Sequence, residues 1–197
     1  RQNATAHPHF HARAAHPHLL KAAPGSCLLN TASASALYGT AGLALYSATK
    51  FAVRGLTEAL DTEWLGDGIR VCSIMPSFID TALLAGPVNA RSNRPKRDIV
   101  VKAGLEFTPV EKVAEAAWEA VHGSRIHTLV GPTARKLALA AKWAPAYMLK
   151  RAQGLARGEE AFDEAAAFGA IAAKAALAHE HGESDGPLGG VVRRLDA

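Results

Sequence analysis

The chain has 197 residues, 49% of them hydrophobic, and a formal net charge of +4 at pH 7. That is enough apolar material for one domain with a packed core, while a charge this small, dispersed except at residues 91–97 and 193–194, does not point to nucleic acid. No apolar run approaches the roughly 18 residues of a spanning helix and no secretory signal is readable, so the expected setting is cytoplasmic. Cys27 and Cys72 fit it as reduced, small hydrophobes in core strands.

Residues 1–18 carry five of the nine histidines. His7, His9 and His11 alternate, and imidazoles are good ligands for zinc, copper or nickel. No cysteine or carboxylate accompanies them, so a frayed terminus is expected there and no metal is assigned. A helix is predicted over 12–22, limited by Pro17.

Residues 25–33 read as a short buried strand running into a polar loop with Asn30 and Ser33. The small-residue segment 38–43 suits one wall of a pocket, with Tyr38 a half-buried aromatic. A helix is then predicted over 43–65, with Phe51, Val53, Leu56, Leu60 and Trp64 as its bulk and Arg54, Glu58, Asp61 and Glu63 as a solvated face. Near its start Tyr46 and Lys50 stand four apart, so a phenol and an ammonium reach the same ligand. An adjacent cation favours a phenolate, which equips Tyr46 to give or take a proton. Ser33 lies thirteen residues before Tyr46.

Gly66-Asp67-Gly68 stops that helix, residues 69–75 read as a second buried strand, and Pro76 breaks it five residues before Thr81. Strand, helix, strand is the parallel unit of a doubly wound α/β sheet. Residues 82–108 read as a long surface segment. A helix follows to about His122, with Thr108 as its cap, Pro109 in its first position and Glu111 completing a capping box. A strand over 126–130 and a helix over 134–150, bent or ended at Pro145, come next. That amphipathic helix fits a membrane surface, but packing over a pocket or against a neighbouring subunit is expected. Beyond it, 159–179 is alanine-rich and helix-prone and 180–197 reads as a mobile tail. The α/β portion is therefore expected over 1–150, with a helical extension over 151–197.

Together, the Asn30-x-x-Ser33 loop, Tyr46-x-x-x-Lys50, and the strand ending at Pro76 with Thr81 beyond it resemble the short-chain dehydrogenase/reductase family. The resemblance implies a Rossmann-like α/β fold and hydride transfer between NAD or NADP and an alcohol or carbonyl substrate. It implies that Ser33 holds the substrate oxygen, that Tyr46 passes the proton, and that Lys50 binds the nicotinamide ribose and helps Tyr46 ionise. Pro76, Ser77, Ile79 and Thr81 would join Tyr46 and Lys50 in holding the cofactor, with backbone near Ile79 meeting the nicotinamide amide. Ser77 departs from the family's usual glycine, which shifts how closely the backbone approaches a ligand. Residues 82–108 match the family's substrate-closing segment. The relay asparagine stays unassigned, because the context of Asn3 does not match. Family members commonly form homo-oligomers through the helix that carries Tyr46 and Lys50.

The family's opening Gly-x-x-x-Gly-x-Gly loop does not occur before Ser33, so the chain is expected to be the C-terminal part of such an enzyme, incomplete at its N-terminus. The residue that selects NAD or NADP then falls outside it. The alternative is a non-catalytic fragment or interaction module lacking the pyrophosphate-binding half. A relative performing dehydration or epimerisation is a third reading.

Overall fold

The computed structural model describes residues 6–40, 42–84, 87–89, 92–102 and 105–157. The chain divides into two compact units, the first ending at Leu137 and the second beginning at Ala138. In chain order the elements are α1 (Ala6–Ala22), β1 (Cys27–Thr31), α2 (Ala44–Glu63), β2 (Arg70–Pro76), β3 (Pro87–Asn89), β4 (Ser92–Pro95), α3 (Lys96–Lys102), α4 (Val110–His122), β5 (His127–Val130), α5 (Pro132–Trp143) and α6 (Pro145–Arg157).

β2 is the centre of the first unit, and its composition explains why. The run from Val71 to Met75 is buried throughout, and β2 pairs in parallel with β1 on one side and β5 on the other. Parallel neighbours need long crossovers, supplied here by α2 and α4. Successive side chains of β2 point to opposite faces. Val71 packs with Leu60 of α2 and with Trp64 just after it, and Met75 with Val53 of α2. Cys72 and Ile74 pack with Ala116 and Ala120 of α4. Helices therefore cover both faces of a parallel sheet, which is the doubly wound, Rossmann-like α/β arrangement expected, in partial form. Among the described residues no helix is long and apolar enough to cross a membrane.

Several local expectations change. β1 is only partly buried because it lies at the sheet edge, with β2 on one side alone among the described strands. Asn30 belongs to this strand and not to the loop; its Nδ2 donates to Thr57 Oγ1 on α2 at 3.0 Å. The first helix starts at Ala6, not near residue 12, and runs through Pro17. Burial of Ala12 beside Leu60 and Trp64, with the His16–Asp67 bond at 2.9 Å, holds it despite the hydrogen bond that proline removes. The frayed end expected over 1–18 is therefore helical from Ala6, while residues 1–5 lie outside the described residues. Among the latter no three His, Cys, Asp or Glu side chains stand together as a metal site would require.

The surface segment expected over 82–108 contains the β3–β4 antiparallel hairpin and α3. Thr108 does not cap α4: the cap position is Pro109 and no side chain bonds there. Thr108 instead pairs its backbone with the stretch after β2, donating to Phe78 O at 2.8 Å and accepting from Asp80 N–H at 3.0 Å. Its hydroxyl is turned inward against Gly131 and has no hydrogen-bond partner among the described residues. Removing a stranded buried hydroxyl while keeping the branched shape costs little. Thr108→Val is therefore expected to leave stability unchanged or raise it by up to about 2 kcal/mol, read from urea unfolding.

In the second unit, Pro145 opens α6 after α5 has ended at Trp143, so the proline splits the expected single helix in two. The alanine-rich helix and tail expected over 159–197 lie outside the described residues.

Candidate active site

Parallel strands end on a common side, so the residues following β1, β2 and β5 meet at one edge of the sheet, where ligands bind in open α/β folds. Ser33 follows β1 there. Its backbone is extended, and its hydroxyl accepts from Ser35 N–H at 3.1 Å, which caps the short 3-10 turn Ala34–Ala36. The same hydroxyl donates to Pro76 O, the end of β2, at 3.5 Å. Ser33 is thus buried and tied to both strand ends.

Tyr46 and Lys50 occupy the first turns of α2. The helix start is fixed by Ser47, whose Oγ accepts from Thr40 N–H at 3.3 Å. Lys50 Nζ donates to Thr31 O, the last carbonyl of β1, at 3.0 Å, and lies 5.7 Å from the centre of the Tyr46 ring. Burial holds the Lys50 ammonium below its usual pKa. An ammonium has three donors, and Thr31 takes one. Tyr46 is 45% exposed, so its ring is open to a ligand. Tyr38 is half-buried, and that burial raises its phenol pKa.

Beyond β2, Ser77 turns toward β5, with its N–H and hydroxyl both directed at Val130 O at 3.4 Å. Phe78 and Asp80 use their backbone on Thr108, forming a bridge opposite Ile79. In extended chain the groups of alternate residues face opposite edges, so the N–H and C=O of Ile79 point away from Thr108. The Thr81 hydroxyl donates to Ile79 O at 3.5 Å and is exposed. Asp80 is paired with Arg97, whose guanidinium also sits 4.5 Å over the Phe107 ring. Arg97 holds the Asp80 carboxyl below the usual carboxylate range. Ser33 is thereby joined to Pro76, Lys50 to Tyr46 and Thr31, Ser77 to Val130, and Thr81 to Ile79.

Sequence reasoning missed one network. His127 Nδ1 meets Ser73 Oγ and His127 Nε2 meets Glu58 Oε1, each at 2.9 Å. Arg54 completes it, bonding Glu58 at 2.8 Å and Ala36 O at 3.4 Å. Glu58 and Arg54 keep the solvent exposure expected of that face, and they also fasten α2 to β5 and to the turn after Ser33. The His127 bond, then that of Arg54, lowers the Glu58 pKa. The available signal was the polar Ser73 in an apolar run. Ser73 is fully buried within the sheet, so it is not a nucleophile that substrate reaches.

Residues 3–92 match the family model described as short chain dehydrogenase. Among solved structures, the chain is similar to a short chain dehydrogenase from Burkholderia cenocepacia J2315 in complex with NADP, with a TM-score of 0.55 and 24% identity over 71% of this chain and 52% of that one. A short-chain dehydrogenase from Streptomyces avermitilis gives 0.52 and 24% identity over 75% and 57%. A gluconate 5-dehydrogenase from Burkholderia cenocepacia J2315 in complex with NADP and tartrate gives 0.51 and 25% identity over 63% and 50%. At these identities the likeness is one of fold, and the chain spans about half the length of these structures. No curated protein matches the chain.

Proposed function

We propose that the protein is an oxidoreductase moving a hydride between NAD or NADP and an alcohol or carbonyl carbon, a reading supported by the match of residues 3–92 to the short chain dehydrogenase family model. The observation that carries this reading is the Tyr46–Lys50 pair, anchored through Thr31 O at the strand ends of a parallel sheet. The residues fit a dinucleotide: Lys50 has donors beyond the one given to Thr31, and the backbone of Ile79 faces away from its bridge. The nicotinamide, when bound, supplies or accepts the hydride.

Tyr46 gives its proton to the substrate oxygen during reduction and takes it back during oxidation. Lys50 binds the ribose hydroxyls, and its ammonium lies beside the phenol that loses the proton. Ser33 holds the substrate oxygen. To do so its hydroxyl exchanges the Pro76 carbonyl for the substrate, and a bond of 3.5 Å is at the weak limit, so the exchange costs little. Pro76, Ser77, Ile79 and Thr81 flank the nicotinamide, Ile79 through its backbone and Thr81 through its hydroxyl. Leu45, 85% exposed, and Phe51 leave apolar surface on α2, which supports a homo-oligomer formed through this helix. The reading includes a cytoplasmic setting and a small-molecule substrate, with no nucleic-acid partner.

A second reading, a non-catalytic fragment, is supported by the half-length coverage of the solved relatives. Titration of the chain with NADH and NADPH, followed by nicotinamide fluorescence, separates the two. Binding is expected, with Lys50→Ala weakening it about 10- to 100-fold, as loss of a charge-assisted hydrogen bond would. Absence of binding by the parent chain favours the fragment reading.

A further inference from the structure

We propose that Cys27 and Cys72 form a redox-active dithiol, in which a hydroperoxide oxidises Cys27 first and Cys72 then closes a reversible disulfide between β1 and β2. Their sulfurs are 3.5 Å apart although the residues are 45 positions apart in sequence. Both lie on the sheet face covered by α4, beside Ala116, Ala120 and Val130. The two thiols differ in access. Cys27 is half-buried on the edge strand, whereas Cys72 is enclosed in the central strand. An oxidant therefore meets Cys27 first, and the sulfur of Cys72, the one other cysteine in the sequence, is within reach of the product.

The surroundings polarise the pair in the same sense. A hydrogen bond joins the two sulfurs, and either can donate it; with Cys72 as the donor, that bond, Arg70 of β2 and His122 of α4 hold the Cys27 pKa below its usual value, against burial and the Asp61 carboxylate of α2. Cys72, donating that bond and buried, is pushed up. A thiolate is the nucleophile in such chemistry. Its sulfur attacks one peroxide oxygen, the O–O bond breaks, and an alcohol leaves, giving the Cys27 sulfenic acid. The Cys72 sulfur then attacks that of Cys27, the S–O bond breaks, and water departs with the Cys72 proton. Dithiol and hydroperoxide thus become disulfide, alcohol and water.

The register predicts a labile bond. Cys27 lies opposite Arg70 and Cys72 opposite Leu29, so the two are offset by two residues along paired strands. A disulfide needs the sulfurs about 2.05 Å apart, and the ladder resists that approach. Strained disulfides are the readily reduced ones.

The test treats the native chain with stoichiometric hydrogen peroxide and follows intact mass. The expected product is a monomer lighter by two hydrogen atoms, restored by dithiothreitol, with a peptide joining Cys27 to Cys72. Iodoacetamide should label Cys27 well ahead of Cys72 in the native state, at a rate that rises with pH as the thiolate forms. Cys72→Ser should leave a sulfenic acid at Cys27 that dimedone captures, and Cys27→Ser should leave Cys72 unoxidised. Sulfinic acid without the intramolecular disulfide, a disulfide-linked dimer, or equal labelling of both thiols in the parent chain would overturn the proposal, whatever the variants do.

Discussion

Tyr46→Phe is expected to abolish turnover in the intact protein while leaving dinucleotide binding within about threefold of the parent. The substitution deletes one hydroxyl and nothing else. The ring near which Lys50 lies, 5.7 Å from its centre, stays in place, as does the Lys50 anchor on Thr31 O. A positioned acid or base contributes roughly 10²–10⁴ to a proton transfer, so kcat should fall by at least that factor. Lys50→Ala should behave differently, weakening binding as well, because the ammonium is assigned to the ribose. Steady-state rates combined with fluorescence titration separate the two patterns. Near-parental activity in Tyr46→Phe removes the proposed proton donor and the reductase reading with it.

Gly131→Ala should be the most damaging single-methyl change in the first unit. Gly131 follows β5 with φ +90, a conformation a side chain adopts at a cost of about 1–3 kcal/mol. The added Cβ would overlap Thr108 Oγ1 and stand 3.2 Å from Ser77 Oγ and 3.3 Å from Thr108 Cβ. Forcing a methyl into such a site costs a further 1–3 kcal/mol or so. A total of about 2–6 kcal/mol is a large share of a small domain's stability. Urea unfolding should show the midpoint falling steeply. Adding Thr108→Ala removes the worst overlap but not the φ strain, so the double variant should recover only part of the loss. An unchanged midpoint in the single variant would contradict the packing of Gly131 against Thr108.

These two residues also illustrate what the sequence could and could not reveal. The apolar run of β2, the length of α2, the glycine stop after it and the break at Pro145 are local signals, and each reads correctly from neighbours in sequence. Thr108 misleads because its local context, Pro109 and Glu111 included, suits a helix cap, while Gly131, 23 positions on, draws its side chain inward. α1 runs through Pro17 because Trp64 and Asp67, far along the chain, hold Ala12 and His16. The edge position of β1 depends on which strands are its neighbours, which its composition does not encode.

The candidate site divides along the same line. Tyr46 and Lys50 are visible as a pair because a helix repeats every turn. The bond from Glu58 to His127 crosses 69 positions and has no periodicity to announce it. Ser33 is the intermediate case: its spacing from Tyr46 marks it, but its contact with the Pro76 carbonyl follows only from adjacent parallel strands.

Lys50 is tethered to main chain, not to a side chain, at Thr31. Whatever amino acid occupies position 31 presents the same acceptor, so point replacements there leave the amine's perch intact. A slip of the edge strand by one position is another matter. Carbonyls alternate between the two borders of a strand, so such a slip would present an N–H where the acceptor had been and release the amine without altering any of the residues assigned to chemistry.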